Sequence, residues 1–345
     1  MSPLNKKILC GLTAGEIFSI IKPEGFNYAH SVAVTNAIYK KRIKDLFKLE
    51  IIPKKLREHL SFVAEIGTYG PVSSEISSDG TKKYLFRNNE GKLFETVFIP
   101  DGRRKTICVS TQSGCRMGCP FCVTASYGFH GNLSAGDIVN QVTSLAEADS
   151  VTHIVFMGMG EPLDNTGNVL KAAEILTAEW GKALSPRNIT ISTVGITSGV
   201  RLVLEQTECN LAVSLYSPFP EERKVVIPAE AKYPFTEIID IMRSFPLKRK
   251  RRLSIAYIMI SEKNDTDRHL KALISLLSGT GIKINLLPYH MTGNDINAAS
   301  STERMMLFRQ GLMNSGVPTS IRKTRGADIS AACGLLASGL KDMVI

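Results

Sequence analysis

Between residues 106 and 322 the hydrophobic period of the chain switches repeatedly, and no other feature narrows the fold as far. Short apolar runs at 106–110, 152–157, 188–193, 210–215, 253–260, 283–287 and 319–322 read as strands. Between them, near 135–148, 168–179, 234–245, 267–278 and 301–315, apolar residues recur at three- and four-residue spacing and read as helices. A parallel crossover needs a dozen or more residues, and a helix is the usual way to make it. The fold class is therefore α/β with a parallel sheet, either barrel-like or doubly wound. In a barrel, the residues at the C-terminal strand ends carry the chemistry.

Residues 1–80 read as a small helical unit, with helical periodicity at 14–21, 29–47 and 53–64. Lys40, Lys41, Arg42, Lys44, Lys54, Lys55 and Arg57 give these helices basic faces. Such faces are usually only solvated. Here they accompany a formal net charge of +10, from 42 Lys and Arg against 32 Asp and Glu, which favours a polyanionic partner such as RNA. Residues 81–104 alternate in period two around Asn88-Asn89-Glu90-Gly91, the signature of a hairpin. A core domain then spans 105–335, followed by a tail at 336–345.

No uncharged run approaches the ~18 apolar residues of a membrane span. The apolar stretch after Lys6-Lys7 is too short for a signal peptide and runs straight into Glu16. Seven cysteines in 345 residues do not make a secreted disulfide scaffold, so a reducing cytoplasm is expected.

Three of those cysteines stand at C-x3-C-x2-C spacing in Gly114-Cys115-Arg116-Met117-Gly118-Cys119-Pro120-Phe121-Cys122. Zinc sites prefer paired C-x2-C knuckles with a fourth ligand, and the nearest candidate here is His130. Three clustered cysteines also cannot all pair as disulfides. Three thiolates suit a [4Fe-4S] cluster in which one iron is left open, with Gly114, Gly118 and Pro120 curling the loop and Phe121 shielding it. The pattern resembles the signature of radical S-adenosylmethionine (SAM) enzymes, whose open iron binds the amino acid end of SAM.

Further along, Gly158-Met159-Gly160-Glu161-Pro162 follows a strand, where glycines let a ligand approach the backbone and Glu161 can accept from an ammonium group. Ser192 and Ser214 end the next two strands; such hydroxyls suit ribose or carboxylate binding, or simply cap the following helix. Lys248-Arg249-Lys250-Arg251-Arg252, with Lys323 and Arg325, is expected to contact phosphates. Cys10 and Cys209 read as buried apolar residues. Cys108 lies seven residues before the cysteine loop, and Cys333 sits near the C-terminus in Arg325-Gly326 to Cys333-Gly334.

With Glu95-Thr96-Val97, Cys108-Val109-Ser110-Thr111-Gln112, Ser185-Pro186-Arg187 and Ser192-Thr193-Val194-Gly195, these motifs resemble the RlmN/Cfr family of radical SAM RNA methyltransferases from about residue 25 to 337. Details such as Ser217-Pro218-Phe219-Pro220-Glu221-Glu222-Arg223 look more like the Cfr side. The resemblance implies an open (β/α)6 barrel and methylation of C2 or C8 of an adenosine in 23S rRNA; the alternatives are the same chemistry on a tRNA adenosine, or a non-enzymatic RNA-binding protein with a structural iron–sulfur or zinc site. It implies a [4Fe-4S] cluster on Cys115, Cys119 and Cys122, and SAM held by Gly160, Glu161, Ser192, Ser214, Leu215, Tyr216 and His290. Cys333 would carry the methyl group, Cys108 would resolve the product through a transient disulfide, and Glu95 would accept a proton. A flavodoxin- or ferredoxin-type protein would donate electrons. Tyr216 and His290 depart from the family, which usually has His and Asn there; both substitutes still donate and accept hydrogen bonds.

Overall fold

The computed structural model describes residues 6–246, 251–291 and 297–340. Ten strands pair side by side in chain order: β1 (Ser73–Ile76), β2 (Lys82–Arg87), β3 (Leu93–Asp101), β4 (Arg104–Cys108), β5 (His153–Phe156), β6 (Ile189–Thr193), β7 (Asn210–Ser214), β8 (Leu253–Met259), β9 (Lys283–Pro288) and β10 (Thr319–Ile321). From β4 to β10 every neighbouring pair is parallel. Six crossovers join these seven strands, giving the (β/α)6 arrangement with a short seventh strand. β1 to β4 are antiparallel, so the hairpin extends the sheet and is part of it.

Alternation along the strands separates two faces. Ile107, Ile154, Ile191, Leu211, Val213, Ile255, Ile284 and Leu286 are fully buried under the helices. The opposite face carries Cys108, Ser192, Ala212, Ser214 and Ala256, small or polar groups that leave the concave side open to a ligand.

At the N-terminus lie helices Ala14–Ile21, Tyr28–Tyr39 and Lys54–Val63. Their apolar residues belong to the same continuous core as the sheet. The second helix ends at Tyr39, well before the sequence-expected 47. Tyr39 is fully buried, its hydroxyl donates to Leu12 O at 2.7 Å, and Arg42 takes φ +54°, which no helix continues through. Part of the basic face is also used internally: Lys40 donates to Glu179 O, and Arg42 to Leu145 O and Asp149. Periodicity alone did not mark helix Thr197–Gln206 or Pro220–Val226. No helix among the described residues is long and apolar enough to cross a membrane.

Candidate active site at the C-terminal strand ends

Just past β4, Gln112–Gly114 pairs with Phe129–Asn132 in a small antiparallel ribbon whose loop carries the three cysteines. The loop is closed by Cys115 N–H donating to Gly128 O at 2.8 Å and Cys122 N–H to Cys119 O at 3.1 Å. Gly114 has φ +76°, and a Cβ there would stand 1.7 Å from Gly128 O, so no other residue fits. Arg116 leaves the loop sideways, stacking on Phe129 and pairing with Asp164 at 2.9 Å. Burial pushes the Cys115 thiol up to about 12, with smaller pushes from Glu161 and Cys122, and raises Cys119 further, with smaller pushes from Cys122 and Cys115. Thiols of this kind become thiolates only when a positive centre takes their protons. Among the described residues no three Cys, His, Asp or Glu side chains close on one point as ligands of a single ion would. Separate loop positions, each offering one sulfur, fit a cluster that takes its ligands at different corners.

The glycine strand end is packed against this loop's root. Ser110 Oγ would lie 2.6 Å from a Cβ on Gly158, and Gln112 Cβ 2.5 Å from one on Gly160. Both glycines are therefore set by chain crossing, as well as by any ligand. Glu161, buried, accepts from Leu163 N–H at 2.9 Å, Thr193 Oγ1 at 2.6 Å and Val194 N–H at 2.9 Å. It ties the end of β5 to the end of β6 and leaves roughly one acceptor site free of the four a carboxylate offers. Burial raises its carboxyl to about 7 despite those donors.

Ser192, Ser214, Tyr216 and His290 lie on the same rim, at the ends of β6, β7 and β9. Ser214, Leu215 and Tyr216 line a narrow cleft together with Phe121 of the cysteine loop. Tyr216 and His290 are half-buried; burial lifts the tyrosine's pKa and lowers the histidine's, so both favour their neutral forms.

Beneath this rim is a group whose role the sequence did not reveal. Arg223 is fully buried, paired with Glu230, and donates to Val194 O at 2.6 Å and Ser214 O at 3.2 Å. Its charge also favours the Cys119 thiolate. Arg223 stands in the quoted Ser217–Arg223 segment, but an arginine after two glutamates reads as surface. Gln112 was likewise quoted only as motif; its amide accepts from Glu161 N–H and donates to Asn132 and Asp164.

Cys333 reaches the site from the far end of the chain. Gly334 O accepts from Val123 N–H at 2.8 Å, Leu336 O from Thr124 Oγ1 at 3.0 Å, and Ala337 N–H donates to Glu95 Oε2 at 2.7 Å. The C-terminal arm thus lies across the helix that follows the cysteine loop (Val123–Tyr127) and over Glu95. Cys333 stays accessible in a crowded cleft: the surrounding protein raises its pKa and Arg322 opposes the rise. Burial raises Cys108, with Cys333 near enough to add to the effect. All seven cysteines are free thiols. Cys10 and Cys209 are buried as expected.

Two of the expected phosphate contacts are spent elsewhere. Arg251 donates to the carbonyls of Val203, Leu204, Thr207 and Cys209, and Arg325 pairs with Asp79 and Asp101. Arg252 and Lys323 are exposed; Lys248, Arg249 and Lys250 lie outside the described residues.

Residues 109–277 match the radical SAM superfamily. The chain is 42% identical over 335 residues to the probable dual-specificity RNA methyltransferase RlmN of Parabacteroides distasonis, covering 97% of this chain and 98% of that one. To the dual-specificity RNA methyltransferase RlmN of Syntrophotalea carbinolica it is 38% identical, covering 96% and 90%. A radical SAM methyltransferase from Sphaerobacter thermophilus superposes with a TM-score of 0.88 at 35% identity, over 96% of this chain and 99% of that structure. Both curated relatives carry the RlmN name, whatever the Cfr-like details of the sequence.

Proposed function

Since the chain belongs to the RlmN family of radical SAM RNA methyltransferases, we propose that it methylates C2 or C8 of an adenosine in 23S rRNA through a methylated Cys333. Cys115, Cys119 and Cys122 would hold a [4Fe-4S] cluster. When bound, the cluster supplies the electron that splits SAM and so opens a radical route to an aromatic carbon too poorly nucleophilic for direct methyl transfer. Gly160 and the free acceptor site of Glu161 bind the SAM ammonium group. Ser192, Ser214, Tyr216 and His290 hold its polar groups along the rim, and the Leu215 backbone and Phe121 close one wall.

Cys333, as a thiolate, is the nucleophile that accepts a methyl group from one SAM, and Arg322 favours that ionised form. Once the Cys333 S-methyl group has lost a hydrogen atom and its carbon has bonded to the adenine ring, Glu95 takes the proton from the adenine carbon. Cys108, as a thiolate, then attacks the Cys333 sulfur, the sulfur–carbon bond breaks with its electron pair going to the methylene carbon, and that carbon takes a proton, freeing the methylated product and leaving a disulfide. A protein of the flavodoxin or ferredoxin type would donate the electrons. The relatives' name, dual-specificity, makes tRNA a second substrate to test. The cytoplasm, where both RNAs and such reductants occur, is the proposed compartment.

One observation carries this reading: the C-terminal arm brings Cys333 beside the cysteine loop while its own backbone clasps Glu95. The test is covalent trapping. With RNA and SAM, Cys108→Ala should accumulate an RNA–protein adduct and Cys333→Ala should methylate nothing. Full methylation by Cys333→Ala would refute the two-cysteine route, and mass spectrometry of the product fixes the carbon and the RNA.

A further inference from the structure

Glu75, Lys83, Val97, Cys108 and Val155 are register partners across five adjacent strands, from β1 to β5. Residues opposite one another on neighbouring strands share a face of the sheet, and Glu95, two before Val97, shares it too. The concave face of the barrel therefore continues past Cys108 onto the hairpin, where it carries two carboxylates and a lysine in line. Glu95 and Lys83 are buried, whereas Glu75 is exposed. Lys83 Nζ stands 3.6 Å from Glu95 Oε1 and 3.0 Å from Glu75 Oε1.

Everything that faces Glu95 can be named. The hairpin offers Lys83 and, behind it, Glu75; the helix after the cysteine loop brings Tyr127; the C-terminal arm offers only the Ala337 N–H. Once Glu95 has taken a proton it is sealed from water by that arm. Among the described residues Lys83 is the group ion-paired with Glu95, and Lys83 pairs in turn with the exposed Glu75.

We propose that Lys83 and Glu75 form the route by which the proton accepted by Glu95 leaves the site. The proposal rests on Glu95 being the proton acceptor. Lys83 passes one N–H proton to the Glu75 carboxylate and takes the proton of the Glu95 carboxyl; Glu75 then releases it to water. Glu95 ends as carboxylate, Lys83 ends as ammonium, and no electrons move. Lys83 is a positioning residue for the base in the same act, since its charge favours the Glu95 carboxylate against the burial that disfavours it.

The carboxyl infrared band of Glu95, assigned by its loss in Glu95→Gln, reads the first half of the proposal without turnover. In Lys83→Met the protonated band should persist to a pH about one unit or more higher. Methylation near pH 7 should fall about tenfold in that variant and recover as the pH is raised toward 9, because the base is then ionised by solvent alone. Lys83→Arg keeps the charge and should restore the pH profile of the first turnover, but should slow later turnovers as Glu75→Gln does, because a guanidinium does not give up its proton. Glu75→Gln changes an exposed residue and should leave both folding and the first turnover intact while slowing later turnovers about threefold. If Glu95→Gln is inactive but Lys83→Met keeps the parental infrared titration and profile, or loses activity equally at every pH, the relay is refuted. If Glu95→Gln methylates normally, the assignment of Glu95 itself is wrong and the relay falls with it.

Discussion

The cysteine loop and the C-terminal arm both bring sulfur to one cleft, but they are held by opposite means. The loop is shaped within about twenty residues: a glycine that tolerates no Cβ, a two-strand ribbon and a short turn fix Cys115, Cys119 and Cys122. The arm is held by bonds to partners more than two hundred residues away, from Thr124 to Leu336 and from Ala337 to Glu95. A locally shaped ligand loop can form whenever its strand forms. The arm, tied by a few long-range hydrogen bonds and by the packing of Leu336, Ala337 and Leu340, can open without unfolding the sheet, and the proposed role of Cys333, receiving a methyl group and delivering it to an RNA base, needs that freedom.

The largest effect is expected beneath both regions. Arg223→Met leaves Glu230 as an uncompensated buried charge and frees the carbonyls of Val194 and Ser214. It should cost about 3–5 kcal/mol, read as a fall in thermal midpoint. Retained stability would show that the pair is solvated and that the strand ends do not depend on it.

Next comes the loop alone. In Gly114→Ala the added carbon meets the backbone oxygen of Gly128, so the ribbon must move. A loss of about 2–3 kcal/mol and poorer iron loading are expected, with Cys333 alkylation unchanged. Equal damage to the arm would mean that the two regions are not separable.

Acid should distinguish the strand-end rim, the proposed SAM site, from both. Glu161 titrates at about 7 because burial raises it, and only its carboxylate attracts an ammonium group. SAM affinity should therefore fall about tenfold for each pH unit below that value. The stability sign is opposite. A carboxyl whose folded pKa exceeds its unfolded value near 4.5 holds extra protons in the native state, so its contribution is full below 4.5 and declines as pH rises to 7. Calorimetric titration of SAM binding at several pH values checks the first statement; an affinity flat between pH 8 and 6 would remove Glu161 from the ammonium site.

The smallest effect falls on the arm. Thr124→Val deletes its bond to Leu336 O, worth about 1 kcal/mol. Folding should be little affected, while Cys333 reacts several-fold faster with iodoacetamide. An unchanged rate would mean that the arm is held by packing of Leu336 and Leu340 instead.

The same contrast explains what could be read beforehand. The strands of the parallel sheet fell within a residue or two of their expected ends because their outward faces are continuous apolar runs. The cysteine spacing could be read from the sequence alone, and the structure places all three residues on one loop. Glu95, by contrast, was reached only through family likeness, since nothing in Leu93–Asp101 says that a residue from the C-terminal arm will cover it. Lys83 was overlooked although an inward-facing lysine in an alternating strand is a legible oddity. Arg251 was expected to contact phosphate and Arg223 was given only as part of a motif; the structure shows both consumed by carbonyls that only the folded chain brings to them. Helix Tyr28–Tyr39 ended early for a tertiary reason, the anchoring of Tyr39.

Anaerobic reconstitution with iron and sulfide, followed by assay of SAM cleavage under reducing conditions, tests the central claim most directly. The protein should bind about four irons and four sulfides per chain and release 5'-deoxyadenosine, and Cys119→Ala should do neither. A protein that retains only zinc, or one that carries iron and never cleaves SAM, would contradict it.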